Sequence, residues 1–231
     1  MTSQTLRFSR GLKRLGAVTA LTAMSAALCG CSSDNGGGDW TAMADVMRKA
    51  WDNRNASVEL AEAASIPYAT MGVRIGDGAQ QIIVLATDSG GQRLWTSAAR
   101  IAITTSGGRI VSTAGFAANL TAVAARDGLG APWSEPHRVR WTADLSDLGV
   151  YSVSIVCQDT PAGHETTTIL GKDFDTVRVD ETCRSDQLDW SFTNIYWVSL
   201  SSGTVWRSVQ YIHPNMDPLE LEILRPPVTP G

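Results

Sequence analysis

The stretch I-P-Y-A-T-M-G-V-R-I-G-D-G-A-Q-Q-I-I-V-L, residues 66–85, alternates in character up to Ile75, breaks at Gly76-Asp77-Gly78, and resumes as the apolar run 81–85. Side chains on a strand point to opposite faces in turn, so alternation marks a strand with one buried face. The Gly-Asp-Gly break supplies the backbone freedom of a tight turn. The stretch therefore predicts two antiparallel strands joined by a short connection. The pattern continues downstream. Asp88-Ser89-Gly90-Gly91 predicts another turn and Arg93-Leu94-Trp95 a third strand. Ile101 to Thr105 and Arg109 to Thr113 flank Ser106-Gly107-Gly108, a further hairpin signature. A meander of antiparallel strands is expected.

Gly115 to Leu129 interrupts this pattern. Phe116, Leu120 and Val123 stand at helical spacing, which predicts a short helix or a buried loop. Strand character returns at Arg138 to Thr142, Val150 to Cys157, Phe174 to Val179 and Gln187 to Phe192. A last hairpin joins Ile195–Leu200 to Thr204–Ile212 through Ser201-Ser202-Gly203, with Trp197 and Trp206 expected on one face. Pro214, Pro218, Pro226, Pro227 and Pro230 predict an extended end to the chain. Upstream, Trp40, Met43, Met47 and Trp51 share one face of a predicted short helix over Trp40–Trp51. No repeat of fixed period and no second domain boundary is visible. The expected fold is mostly β: a single domain on a large curved antiparallel sheet, a meander or half-barrel, with a short N-terminal helix.

Residues 1–39 are of a different kind. Arg7, Arg10, Lys13 and Arg14 precede an uncharged apolar run from Leu15 to Leu28, and no acidic residue occurs before Asp34. A basic head and an apolar stretch of this length have the form of an export signal, too short to span a bilayer that needs about 20 apolar residues. Leu28-Cys29-Gly30-Cys31 resembles the bacterial lipobox, with cysteine at a position where alanine or serine is usual. The expected organisation is a signal peptide over 1–30, lipidation at Cys31, a Gly-rich tether over 31–39 and one β domain over 40–231. Each buried acyl methylene adds about 0.8 kcal/mol of membrane affinity, so several chains on one cysteine anchor permanently in practice. Ser32 and Ser33 follow the cysteine, without the aspartate that retains lipoproteins in the inner membrane, and the outer membrane is the expected location.

Removing residues 1–30 lowers Lys plus Arg from 19 to 15 while Asp plus Glu stays at 23, moving the formal charge from −4 to −8. An acidic chain without a basic cluster argues against nucleic acid as a partner. Cys157 and Cys183 then remain as a candidate disulfide in an oxidising compartment, the alternative being two buried thiols. A bridge between them would be worth roughly 3–4 kcal/mol in the chain-entropy account.

From Ile66 to Asp77, and on through Leu94-Trp95, the chain resembles the YjbF/GfcB family of group 4 capsule and exopolysaccharide lipoproteins. Three further blocks carry the resemblance: Gly107 to Gly115 leading into Asn119-Leu120, Tyr196-Trp197-Val198, and Gly203 to Ser208 with Gln210-Tyr211. It covers essentially the whole chain beyond the signal, in order. The resemblance implies an outer-membrane lipoprotein folded as a large curved antiparallel sheet. It further implies an accessory part of polysaccharide export, beside periplasmic partners and an outer-membrane barrel protein. The family has no established catalytic residues, so none is carried over. The Cys157/Cys183 pair is not part of its pattern.

The residues themselves name no chemistry. His137, His164 and His213 are isolated, with no metal-ligand spacing, and no G-x-S-x-G singles out a serine. No catalytic residue, metal or cofactor is therefore expected. Asp173, Asp175, Asp180 and Glu181 could furnish the carboxylate pair of a glycan-processing enzyme, but acids on strands and turns usually face solvent. That enzyme is one alternative; a purely structural envelope lipoprotein with only protein partners is another. Among the tryptophans, Trp95, Trp197 and Trp206 lie inside regular strands and are expected in the core. Trp133, in the loop-like G-A-P-W-S-E-P, is the candidate for exposure and for contact with a polysaccharide.

Overall fold

The computed structural model describes residues 57–125 and 133–227. Signal, Cys31, tether and the helix expected over Trp40–Trp51 lie outside the described residues. Among the described residues one short helix, α1 (Leu60–Ser65), precedes twelve strands. The first group is β1 (Thr70–Ile75), β2 (Gln81–Ser89), β3 (Gln92–Thr96), β4 (Ala102–Ser106) and β5 (Arg109–Ala114). Then follow β6 (Ala122–Ala125), β7 (His137–Leu145), β8 (Val150–Ile169), β9 (Lys172–Ser185), β10 (Trp190–Ser199), β11 (Thr204–Gln210) and β12 (Leu219–Arg225). All pair antiparallel in one sheet of order β5-β4-β3-β2-β1-β12-β11-β10-β9-β8-β7-β6. The expected curved antiparallel sheet is present.

The two edge strands, β5 and β6, are consecutive in the chain. Thr113 N–H donates to the Leu120 carbonyl at 2.7 Å, and Leu120 N–H donates to Thr113 Oγ1 at 2.9 Å. The sheet thus curls into a nearly closed, barrel-like form. Closure hides edges that would otherwise invite pairing with other chains. Interior side chains recur at every second position, as in Val153, Ile155 and Cys157 on β8 and Val177 and Val179 on β9. Met71, Val73, Ile83, Trp95, Ile103, Leu145 and Ile155 belong to the main core. Trp133, Val177, Val179, Tyr196 and Val198 form a second cluster.

Several local expectations are corrected. Ala122–Ala125, placed in a helix or buried loop, is strand β6, because it must extend to pair with β7. Gln187–Asp189 is a turn, and β10 begins at Trp190. β8 runs twelve residues beyond Cys157, absorbing Pro161 at a register shift between Pro161 and Gly163, where a strand tolerates a missing N–H. Of the proline-rich end, Pro214 opens a turn and Pro230 lies outside the described residues, while Leu219–Arg225 is a central strand between β1 and β11. Trp197 and Trp206 do not pair. A register shift sets Trp197 opposite Arg207, whose guanidinium lies 5.1 Å from its ring, and Trp206 stacks on Phe174 instead.

Candidate functional site

Alternation on β8 and β9 puts two acids in phase with the apolar interior. Asp159 follows Ile155 and Cys157, and Glu181 follows Val177 and Val179; in the ladder they stand directly opposite each other, and both are 0% exposed. A lone buried carboxylate is costly, so the neighbours of Glu181 matter. Arg109 of β5 reaches it from the far side of the sheet, with Nη1 to Oε2 at 2.7 Å and Nη2 to Oε1 at 2.5 Å. Asn194 Nδ2 and the Tyr196 hydroxyl also donate to Glu181 Oε2, at 2.7 and 3.1 Å.

Charge and burial oppose each other in this cluster. Burial works to raise the Glu181 pKa, but the Arg109 charge and the donated hydrogen bonds outweigh it and hold the group below its usual value. Burial likewise opposes the Arg109 cation, and Tyr196 and Glu181 outweigh it, so its pKa is raised. Asp159 has no such partner. Burial, then repulsion from Glu181, pushes it up to about 7, and neither of its oxygens has a hydrogen-bond partner. Near neutral pH the cluster therefore holds one cation, one anion and a carboxyl that keeps its proton to higher pH than usual.

Gln210 extends the network to the sheet edge. Its Oε1 accepts from Ile110 N–H at 2.8 Å and its Nε2 donates to the Gly108 carbonyl at 2.9 Å. The side-chain amide thus occupies backbone groups of β5 that a neighbouring strand would otherwise bond. Gly108 itself has φ +88°, and a Cβ there would strike the Val205 side chain. Only glycine fits this close approach of two hairpins.

The sulfurs of Cys157 and Cys183, opposite each other on β8 and β9, are bonded at 1.99 Å. They lie near Glu181 in the one grouping of potential metal ligands among the described residues, but neither offers a thiolate. Trp141 Nε1–H points at Cys157 Sγ from 3.2 Å.

Three cavities of the barrel lie away from this cluster, none of them lined by Arg109, Asp159 or Glu181. Two, of about 450 and 370 Å³, lie at the end bearing the β2–β3, β4–β5, β8–β9 and β10–β11 turns; Ser202 and Trp206 line both. The larger is also lined by His164, Asp173, Phe174 and Asp175. A third, of about 150 Å³, sits among Val73, Ile75, Ile83 and Phe116 near the opposite end.

The expected site residues are thus dispersed. Trp133 is not exposed: at 9% it packs on Tyr196 with ring centroids 5.0 Å apart, as a member of the second cluster. Trp95 is core and Trp197 buried, but Trp206 is half-buried at the cavity rim. Of the four acids, Asp175 is 89% exposed and Glu181 fully buried, so they form no single constellation. His213 is buried; its Nδ1 accepts from Asn215 N–H and its Nε2 faces Asp147 at 3.1 Å. Arg109 and Asp159 were missed. The available signal was strand phase, with Asp159 in step with Ile155 and Cys157.

These features define a class: a β domain curled into a nearly closed barrel, its interior filled by apolar packing and one buried charged cluster centred on the Arg109–Glu181 ion pair. The chain belongs to the YjbF family, described as the group 4 capsule polysaccharide lipoprotein gfcB, YjbF, whose model matches residues 25–224. It is 26% identical over 205 residues to the lipoprotein GfcB of Escherichia coli K12, covering 86% of this chain and 94% of that one. It is 29% identical over 166 residues to the lipoprotein YjbF of the same organism, covering 70% and 77%. The crystal structure of the lipoprotein YmcC from E. coli K12 superposes with a TM-score of 0.65 at 24% identity, covering 81% of this chain and 97% of that one, and shares the fold. No helix among the described residues is long and apolar enough to cross a membrane. The family is one of membrane-anchored envelope lipoproteins of capsule systems.

Proposed function

We propose that the protein is a non-enzymatic accessory component of capsule or exopolysaccharide export or assembly. It is held at the outer membrane by acyl chains on Cys31, with its β domain in the periplasm beside the other proteins of the export system. The family match over residues 25–224 carries this reading. Asp159 and Glu181, opposed carboxylates with pKa values pushed apart, have the electrostatics of an acid–base pair. Both are nevertheless fully buried, and neither lines any of the three cavities described above. Such a pair serves the fold.

The test is deletion of the gene, with surface-attached and released polysaccharide measured and restored by wild type or by Cys31→Ser. The reading expects a defect that wild type repairs and Cys31→Ser does not. Unchanged polysaccharide after deletion would overturn it in favour of a structural envelope role.

A further inference from the structure

We infer that the cleft at the turn-bearing end of the barrel is a binding site for an uncharged segment of a polysaccharide, with Trp206 as its platform. The inference rests on the export reading above and deepens it. Trp206 is half-buried and shared by both cavities, so part of its indole faces space large enough for a ligand of two or three sugar rings. Phe174 stacks behind it at a centroid distance of 3.9 Å, which fixes the ring plane. A fixed, partly open aromatic face suits the C–H face of a pyranose, which is apolar and flat.

The polar lining matches the rest of such a ligand. Asp173 and Asp175 flank Phe174 on β9 and line the same cavity, their carboxylates offering acceptors for sugar hydroxyls. Asp175 and His164, 3.6 Å apart, are both largely exposed, so neither is committed to the fold. Ser202 adds a hydroxyl at the junction of the two cavities. Lys172, next to Asp173 in the chain, rides over the Phe174 ring at 5.2 Å, and Arg93, which lines the second cavity, is ion-paired with Asp88 at 2.9 Å. That balance disfavours a polyanion and selects an uncharged glycan segment. The sequence pointed to Trp133 for this role; the structure moves it to Trp206, which was expected in the core.

The experiment uses the full lipoprotein in detergent micelles. Polysaccharide extracted from cells that make it is separated by anion exchange into uncharged and acidic fractions, with dextran and polygalacturonate as defined probes. Binding to immobilised protein is measured for wild type, Trp206→Ala, Trp206→Phe and the exposed pair Asp173→Ala/Asp175→Ala. The uncharged fraction is expected to bind wild type and Trp206→Phe, and to bind Trp206→Ala on the order of tenfold more weakly. The double aspartate variant, altered only at exposed side chains, is expected to weaken binding several-fold without loss of fold. Equal binding by wild type and both alanine variants, preference for the acidic fraction, or no binding of any fraction would each overturn the cleft as a glycan site. None of these would touch the export reading, which stands or falls on the deletion.

Discussion

Asp159 is the residue whose chemistry is most exposed to test. Its carboxyl is pushed up to about 7 in the folded chain, against about 3.8 in an unfolded one. A group whose folded pKa is raised contributes stability that is fully present below its unfolded value and lost as pH rises through the folded value. Wild type should therefore lose stability between about pH 4 and pH 7 from this group. Glu181, whose pKa is lowered, acts in the opposite sense, losing its contribution as pH falls below its ordinary range. Asp159→Asn keeps the shape and removes the charge. Its stability should match wild type near pH 3, below the unfolded value, and exceed it at pH 8, by up to about 4 kcal/mol, in urea unfolding at the two pH values. A variant less stable than wild type at pH 8 would mean that the charged form of Asp159 is held by an interaction the structure lacks. The Arg109–Glu181 pair was hidden from the sequence for a physical reason: its members are 72 residues apart, and only closure of the sheet brings β5 to β9. Strand phase marks both acids as inward-facing, but phase alone does not name the cation opposite.

At the scale of elements, β12 decides whether the sheet is one body. It bonds β1 on one side and β11 on the other, so the last strand joins the first half of the meander to the second. Its sequence, L-E-L-E-I-L-R, alternates cleanly, with Leu219, Leu221 and Ile223 buried. The flanking prolines obscured it. Proline is excluded from a central ladder but not from its ends, and Pro218 and Pro226 sit just outside the strand. On the outer face Glu220 and Glu222 meet Arg207, and Glu222 accepts from Gln80 at 2.7 Å. These partly exposed ion pairs are worth at most about 1 kcal/mol. Leu221→Ala should therefore cost about 2–5 kcal/mol in chemical denaturation, and Glu222→Ala about 1 kcal/mol or less. Equal costs would show that β12 is held by its outer face and not by the core. The hairpins from β1 to β5 were legible because each strand and its turn lie within a few residues. β6 and the far half of β8 were not, since pairing with β7 and β9 overrides the local signals of an apolar helix period and of Pro161.

The whole molecule combines a barrel-like sheet, a buried network that is electrically self-contained, and a cleft at one end. Strand alternation made the sheet legible from the sequence, and distributed blocks made the family legible. Closure and the position of the cleft depend on which strand ends meet in space. For that reason Trp133, expected to be exposed, is buried against Tyr196, and Trp206, expected in the core, is half-buried at the cavity rim. The account's central claim is that this fold assists polysaccharide export without catalysing a reaction. The most direct measurement is surface and released polysaccharide in cells lacking the gene and supplied with Asp159→Asn. This variant removes the one titrating member of the only opposed buried carboxylate pair among the described residues and is expected to fold. The account predicts export restored to the wild-type level at equal amounts of protein. Export that stays defective while the variant accumulates normally at the membrane would contradict it, because the buried pair would then be doing chemistry.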